Sequence, residues 1–181
     1  MLMMLSDEDL AKAAGQGDRE AFSSLLSRHY DRIFALSFRL CGSRAEAEDL
    51  TQDICVGLPA KLRSWEGRSR FTTWLYRVVV NASHDQRRRN ATRSRTAEGW
   101  GDYEVARRAV DTEEAERTAW LEEAMRSLKP EYRETLALTL DQDLTQAEAA
   151  EVLGVSEGTI AWRISEVKKH LRQLATSEAT Q

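Results

Sequence analysis

Apolar residues recur along most of this chain at three- and four-residue steps, the spacing of one face of an α-helix. Ser6 to Ala14 predicts a short helix opened by a serine cap and three acids, and Gly15 to Gly17 break it. Asp18 caps a long helix to about Leu40, with Phe22, Leu25, Leu26, Ile33, Leu36 and Leu40 as its stripe. Leu50, Ile54, Leu58 and Leu62 lie four apart and predict a third helix from Ser43, opened by a Ser43–Glu46 capping box. Asp49, Gln52 and Asp53 then fall on its exposed side, and Pro59 is expected to kink or weaken it. After the loop Ser64–Arg70, a fourth helix runs from Phe71 to about Arg89. Phe71, Leu75, Val78 and Ala82 form one stripe; Arg77, Asn81, His84 and Arg88 form a second, polar and cationic one.

From Ala91 to about Asp111 the periodicity stops, and this stretch reads as a flexible linker. A helix is predicted from Thr112 to Ser127, with Trp120, Leu121, Ala124 and Leu128 inward. Pro130 suits the first turn of the next helix, which holds Leu136, Leu138 and Leu140. The expected fold is all-α: two small helical domains, residues 1–90 and 112–176, joined by a linker at 91–111.

The stretch TQAEAAEVLGVSEGTIAWRISEVKKHL, Thr145 to Leu171, is the most specific local pattern. Thr145 and Glu148 form a capping box, Gly154 permits a turn, and Ser156 caps a second helix. Ile160, Ile164, Val167 and Leu171 give that helix an inward face. The pattern is that of a helix-turn-helix, whose second helix enters the DNA major groove. An αα-hairpin in a bundle has the same periodicity and stays open at this point.

Charge sharpens the picture. The 181 residues carry a net charge of −4, which does not suit a DNA binder, but the distribution is uneven. Lys61 to Arg95 holds ten Lys and Arg against Glu66 and Asp85, while Glu98 to Glu123 holds nine acids against three arginines. A basic block suits a phosphate-facing surface and an acidic block avoids one. Trp65, Phe71 and Trp74 beside the cationic stripe suit stacking on single-stranded bases; a solvated face over core aromatics is the alternative. Only nine Gly and two Pro agree with helical structure. No apolar run is long enough to span a membrane, and MLMMLSDEDL lacks the basic start of a signal peptide. Cys41 and Cys55 read as buried free thiols. No nucleophile–base pairing, phosphate loop or metal-ligand spacing occurs, so no enzyme activity, cofactor or metal is expected.

Two stretches carry a resemblance. AEAEDLTQDICVGLPAKLRSWEGRSRFTTWLYRVVVNASHDQRRR is similar to region 2 of the extracytoplasmic-function (ECF, group IV) sigma factors of bacterial RNA polymerase, with their D-L-x-Q-[ED] helix and F-x-T-W-L-Y-R-[IV] helix. SLKPEYRETLALTLDQDLTQAEAAEVLGVSEGTIAWRISEVKKHL is similar to region 4, with its L-G-[VI]-S-x-G-T-[VI] turn. The resemblance implies that Asp49, Leu50, Gln52 and Asp53 bind the clamp helices of the polymerase largest subunit. It implies that Trp65, Arg68, Arg70, Phe71, Trp74, Arg77, Asn81, His84 and Arg88 hold the melted −10 element, with Asn81 and Phe71 at the pocket for a flipped base. Ser156, Glu157, Thr159, Ala161, Trp162, Arg163, Ser165 and Lys168 would face the −35 duplex, while region 4 also touches the polymerase flap. The implied function is a promoter-specificity subunit without catalysis, cytoplasmic, and held by an anti-sigma factor; the alternative is a free-standing helix-turn-helix regulator. The chain departs from the family at Ile54–Pro59 and at Ala161, Trp162 and Glu166, so its promoter consensus cannot be borrowed.

Overall fold

The computed structural model describes residues 5–96, 123–140 and 144–178. Seven helices can be delimited among them: α1 Asp7–Gly15, α2 Arg19–Cys41, α3 Arg44–Leu62, α4 Phe71–Thr96, α5 Pro130–Thr139, α6 Gln146–Leu153 and α7 Glu157–Glu178. Residues 123–127 are also helical, and no strand occurs among the described residues.

Local chemistry sets most of the boundaries. The Ser6 hydroxyl accepts from the Asp9 amide at 3.1 Å, and Asp18 accepts from the amides of Glu20 and Ala21 at 2.9 and 3.0 Å. Such bonds satisfy amides that a helix start leaves without partners. At α6 both halves of the capping box form, Glu148 amide to Thr145 hydroxyl at 3.2 Å and Thr145 amide to Glu148 carboxylate at 2.8 Å. Gly154 ends α6 at φ 66°, where a side chain is strained. Ser156 then caps α7 by accepting from the Thr159 amide at 3.1 Å. Pro130 stands in the first turn of α5.

Three expectations are corrected. Ser43 makes no side-chain cap bond; Glu46 instead turns toward α4, its carbonyl accepting from Gln86 at 3.2 Å and its carboxylate from Asn90 at 3.4 Å. Pro59 lies within α3, which runs on to Leu62, and Leu58 and Leu62 on either side of it are buried in the core. Helix α4 passes Arg89 and continues to Thr96, so residues 91–96 of the expected linker are helical. The bonds from Gln86 and Asn90, with Arg89 to Asp53 at 3.0 Å, tie its polar second half to α3. Leu140 lies just past α5 and is exposed. Residues 97–111 of the expected linker and the expected helical residues 112–122 lie outside the described residues.

Helices α1 to α4 bury Leu10, Leu25, Ile33, Leu50, Ile54, Leu58, Phe71, Leu75 and Val79 in one cluster. That cluster also takes in Ala137, Leu138, Leu144, Ala149 and Val152 from α5, α6 and the segment before α6. The two helical groups therefore pack on each other. A second, smaller core joins Met125, Leu128 and Val167, flanked by Tyr132, Leu136 and Leu171.

Candidate nucleic-acid interface

Helix α3 presents Asp49, Gln52 and Asp53 to solvent. They line a polar groove of about 300 Å³ with Glu46, Gln86, Arg89 and Asn90, and the Arg89–Asp53 ion pair crosses it. Leu50 is placed differently from its neighbours: it is wholly buried and supports this face from beneath. The i, i+4 spacing with Ile54 and Leu58 fixes that direction.

The loop into α4 turns at Gly67 (φ 70°). Trp65, Phe71 and Trp74 form a mutual cluster, with ring centroids 5.9 Å (Trp65–Phe71), 5.7 Å (Phe71–Trp74) and 6.3 Å (Trp65–Trp74) apart. Phe71 is 1 % exposed, so it is a floor of this cluster and presents no open face to a base. Trp65 and Trp74 are half-buried over it. Beneath lies a feature the sequence did not signal. His29, buried on α2, meets the Phe71 ring edge-on at 5.2 Å, and its Nε2 lies 2.7 Å from the Asp7 carboxylate. Arg28 donates to the same carboxylate at 3.0 Å, and Glu8 accepts from the Phe71 amide at the start of α4 at 3.1 Å. Burial alone would raise the Asp7 pKa, but the Arg28 bond and the His29 charge outweigh it and hold the carboxyl below its ordinary value.

On α4 the expected cationic stripe is divided. Asn81 and Arg88 are exposed, Arg88 paired with Asp85. Arg77 and His84 are half-covered by the C-terminal helices. Arg77 donates to the Glu151 carbonyl at 2.9 Å and pairs with its carboxylate at 3.3 Å. His84 Nε2 lies 2.9 Å from the Glu134 carboxylate, which also receives Arg87. Arg70 reaches Glu148 at 3.1 Å, while Arg68 stays in the loop beside Glu66. Glu148 is held below the ordinary glutamate value, first by the Thr145 amide. Backbone bonds reinforce this contact: Arg39 donates to the Ala137 carbonyl at 3.2 Å and Arg133 to the Leu40 carbonyl at 3.4 Å. Burial and the neighbouring Arg87 push the Arg133 guanidinium down from its ordinary value. Glu134, Glu148 and Glu151 thus pair with cations of α4 and of the loop before it. Sequence spacing gave no sign of these pairings, since the partners are 47 to 78 residues apart.

Helix α7 carries a single exposed face. Glu157, Gly158, Ala161, Trp162 and Ser165 make up its first half. Lys168, Lys169 and Arg172 continue it, and Arg172 could have been found from the same three- and four-residue steps. Arg163 lies off this face and is half-buried. Ser156 and Thr159 are committed to the cap, their hydroxyls 2.8 Å apart. Among the described residues no His, Cys, Asp or Glu group is placed to hold a metal ion, and no helix is long and apolar enough to cross a membrane.

Residues 25–93 match the family model for sigma-70 region 2, and residues 118–171 match that for sigma-70, region 4. The chain is 31 % identical over 169 residues to the ECF RNA polymerase sigma factor SigM of Mycobacterium tuberculosis, covering 93 % of this chain and 84 % of that protein. It is 30 % identical over 175 residues to the ECF RNA polymerase sigma-E factor of Haemophilus influenzae, covering 91 % and 92 %. The chain belongs to the ECF sigma factors. Among solved structures, the sigma factor's fold is similar to that of CnrH in complex with the cytosolic domain of CnrY, with a TM-score of 0.71, 26 % identity and 94 % and 97 % of the two chains covered. The acidic face of α3, Asn81 and Arg88 on α4, and α7 as far as Leu171 lie within the two matched regions. Sigma factors as a class are not enzymes.

Proposed function

We propose a division of labour in this ECF sigma factor, which directs core RNA polymerase to promoters. Asp49, Gln52 and Asp53 dock on the clamp helices of the polymerase largest subunit. Leu50 takes part only through the backbone geometry it fixes. Asn81 and Arg88, with Trp65, Trp74, Arg68 and Arg70 at the start of α4, hold the melted −10 strand. Helix α7 reads the −35 duplex through Ala161, Trp162 and Ser165, with Lys168 on phosphate, and the C-terminal group also meets the polymerase flap. The protein acts in the cytoplasm and carries no catalysis of its own.

The observation that carries this reading is the arrangement around α4. Its exposed Asn81 and Arg88 lie on the helix whose second half is tied to the acidic groove of α3. A polymerase-facing surface and a base-facing surface thus share one support. Arg77 and His84 reach DNA only once the C-terminal helices move off α4, because Glu151 and Glu134 hold them here. Ordered transfer from intramolecular acids to phosphate suits a factor that binds DNA only with polymerase. The similarity to the CnrH complex extends over both helical groups. It supports an anti-sigma protein as the partner that holds this closed form.

Purified protein added to core polymerase is expected to give specific run-off transcripts from a genomic fragment library. No specific transcript, under conditions where a control sigma factor succeeds, overturns the reading. Tight sequence-specific duplex binding by the chain alone would point to a free-standing regulator instead.

A further inference from the structure

The groove-facing half of α7 has an unusual chemistry. In a helix-turn-helix the N-terminal residues of the second helix reach base edges. Here the exposed ones, Glu157, Gly158, Ala161, Trp162 and Ser165, include no lysine or arginine, and Arg163 is half-buried off this face, so the common bidentate pairing with guanine is absent from them. The cations come later, at Lys168, Lys169 and Arg172, where the helix leaves the groove and meets backbone phosphates. Between these zones lies Trp162, 56 % exposed beside Ala161.

The indole is not free to fold away. Its ring meets Tyr132 of α5 at 6.0 Å and 69°, an edge contact, and the Lys129 ammonium lies 5.9 Å over the Tyr132 ring. Such contacts fix orientation at a cost of little entropy, since the side chain has only two torsions. A large ring held outward offers apolar area that an apolar group on a bound partner can cover. On the major-groove edges of the bases, the only apolar group is the C5-methyl of thymine.

We infer that Trp162, with the Ala161 methyl beside it, reads a thymine in the upstream duplex through its C5-methyl group. Tyr132 is the positioning residue that holds the indole toward the groove. This rests on the reading of α7 as the −35 reader.

The test selects duplexes from a pool randomised across the upstream region, using holoenzyme reconstituted from the full chain and core polymerase. Each thymine of the selected element is then replaced by uracil, which removes only the methyl. At one position uracil is expected to weaken binding about fourfold, the value of one methyl withdrawn from water. Trp162→Ser abolishes that penalty, Trp162→Phe keeps most of it, and Tyr132→Leu lowers it. Trp162 is exposed, so all Trp162 variants should melt within a few degrees of the parent. An enriched element indifferent to uracil, or an equal uracil penalty in Trp162→Ser, overturns the inference alone. Failure to enrich any upstream element overturns the −35 reading and the inference with it.

Discussion

His84 Nε2 and Glu134 Oε1 lie 2.9 Å apart although the residues are 50 positions apart in the chain. The Glu134 side chain is 12 % exposed and is shared with Arg87. One carboxylate therefore joins the α4 surface to the C-terminal helices. Replacing it by an amide leaves two donors facing a weaker acceptor. Glu134→Gln is expected to lower stability by about 1.5–3 kcal/mol, the range for hydrogen bonds to charged groups. Adding Glu151→Gln removes the Arg77 ion pair as well and leaves that guanidinium only its bond to the Glu151 carbonyl, and the chain should then expand. Urea unfolding reads the first effect and small-angle scattering the second. Superimposable urea curves for parent and Glu134→Gln would show that the clasp carries no weight.

The Asp7 carboxylate sits below its ordinary value of 3.8 through Arg28 and His29, against the opposing effect of burial. A carboxyl with a depressed folded pKa stabilises the fold fully above the unfolded value. That contribution fades as pH falls from about 3.8 through the folded pKa. Asp7→Asn should therefore cost stability at pH 6 and less and less below pH 3.8, so its unfolding curve converges with the parent's in acid. His29 loses its partner in this variant, and the Trp65–Phe71–Trp74 cluster above it should show altered tryptophan fluorescence. A constant stability difference down to pH 2 would sink the argument.

The helices were legible because apolar periodicity and caps are local signals. Gly154, the Thr145–Glu148 box and the Leu50–Leu62 stripe all stand where spacing places them. The misread ends had a different cause. Ser43 loses its cap partner because Glu46 is drawn to Gln86 and Asn90. Helix α4 outruns its apolar stripe because ion pairs and amide bonds to α3 carry it. Resemblance puts Phe71 at the base pocket, yet its burial follows from the stripe it shares with Leu75. The packing of the two helical groups was not legible at all. Glu134, Glu148 and Glu151 sit on helices whose own patterns are ordinary, and charge pairing across such separations has no period.

Two glycines give opposite expectations for one substitution. A Cβ on Gly15 would come 2.7 Å from the Leu62 carbonyl oxygen, where α1 meets the end of α3. Backbone cannot step aside cheaply, so Gly15→Ala should destabilise by roughly 1–3 kcal/mol, the cost of overpacking. Gly57 lies within α3 with nothing near its missing Cβ. Gly57→Ala should stabilise by about 0.5–1 kcal/mol, through helix propensity. Thermal melts of both variants decide it, and a shift of the same sign in both would contradict the geometry.

Cys41 and Cys55 are both free, but not alike. Burial, with the nearby Glu46, pushes the Cys41 thiol up to about 12; burial also raises Cys55. At pH 8 Cys41 should hold almost no thiolate, and the thiolate is the reactive form. Titration with a chromogenic disulfide should show Cys55 reacting first, and Cys41 only after urea unfolding. Reaction of Cys41 at the rate of a free thiol in the folded protein would contradict this.

Asn81 and the Asp49–Asp53 pair separate two steps of initiation. Asn81 is exposed on α4 and packs under nothing, so Asn81→Ala should leave the fold and polymerase affinity intact. If its amide holds an unstacked base, its loss costs about 1–3 kcal/mol at that base, roughly 5- to 150-fold in open complex. Asp49→Lys with Asp53→Lys acts earlier. The double change reverses the charge of the groove and removes the Arg89 partner, so polymerase capture should weaken while any open complex that forms melts normally. Pull-down with core polymerase measures the first step, and permanganate reactivity of unpaired thymines measures the second. Equal loss of both signals in Asn81→Ala would place that residue in polymerase binding, and the α4 surface would need another role.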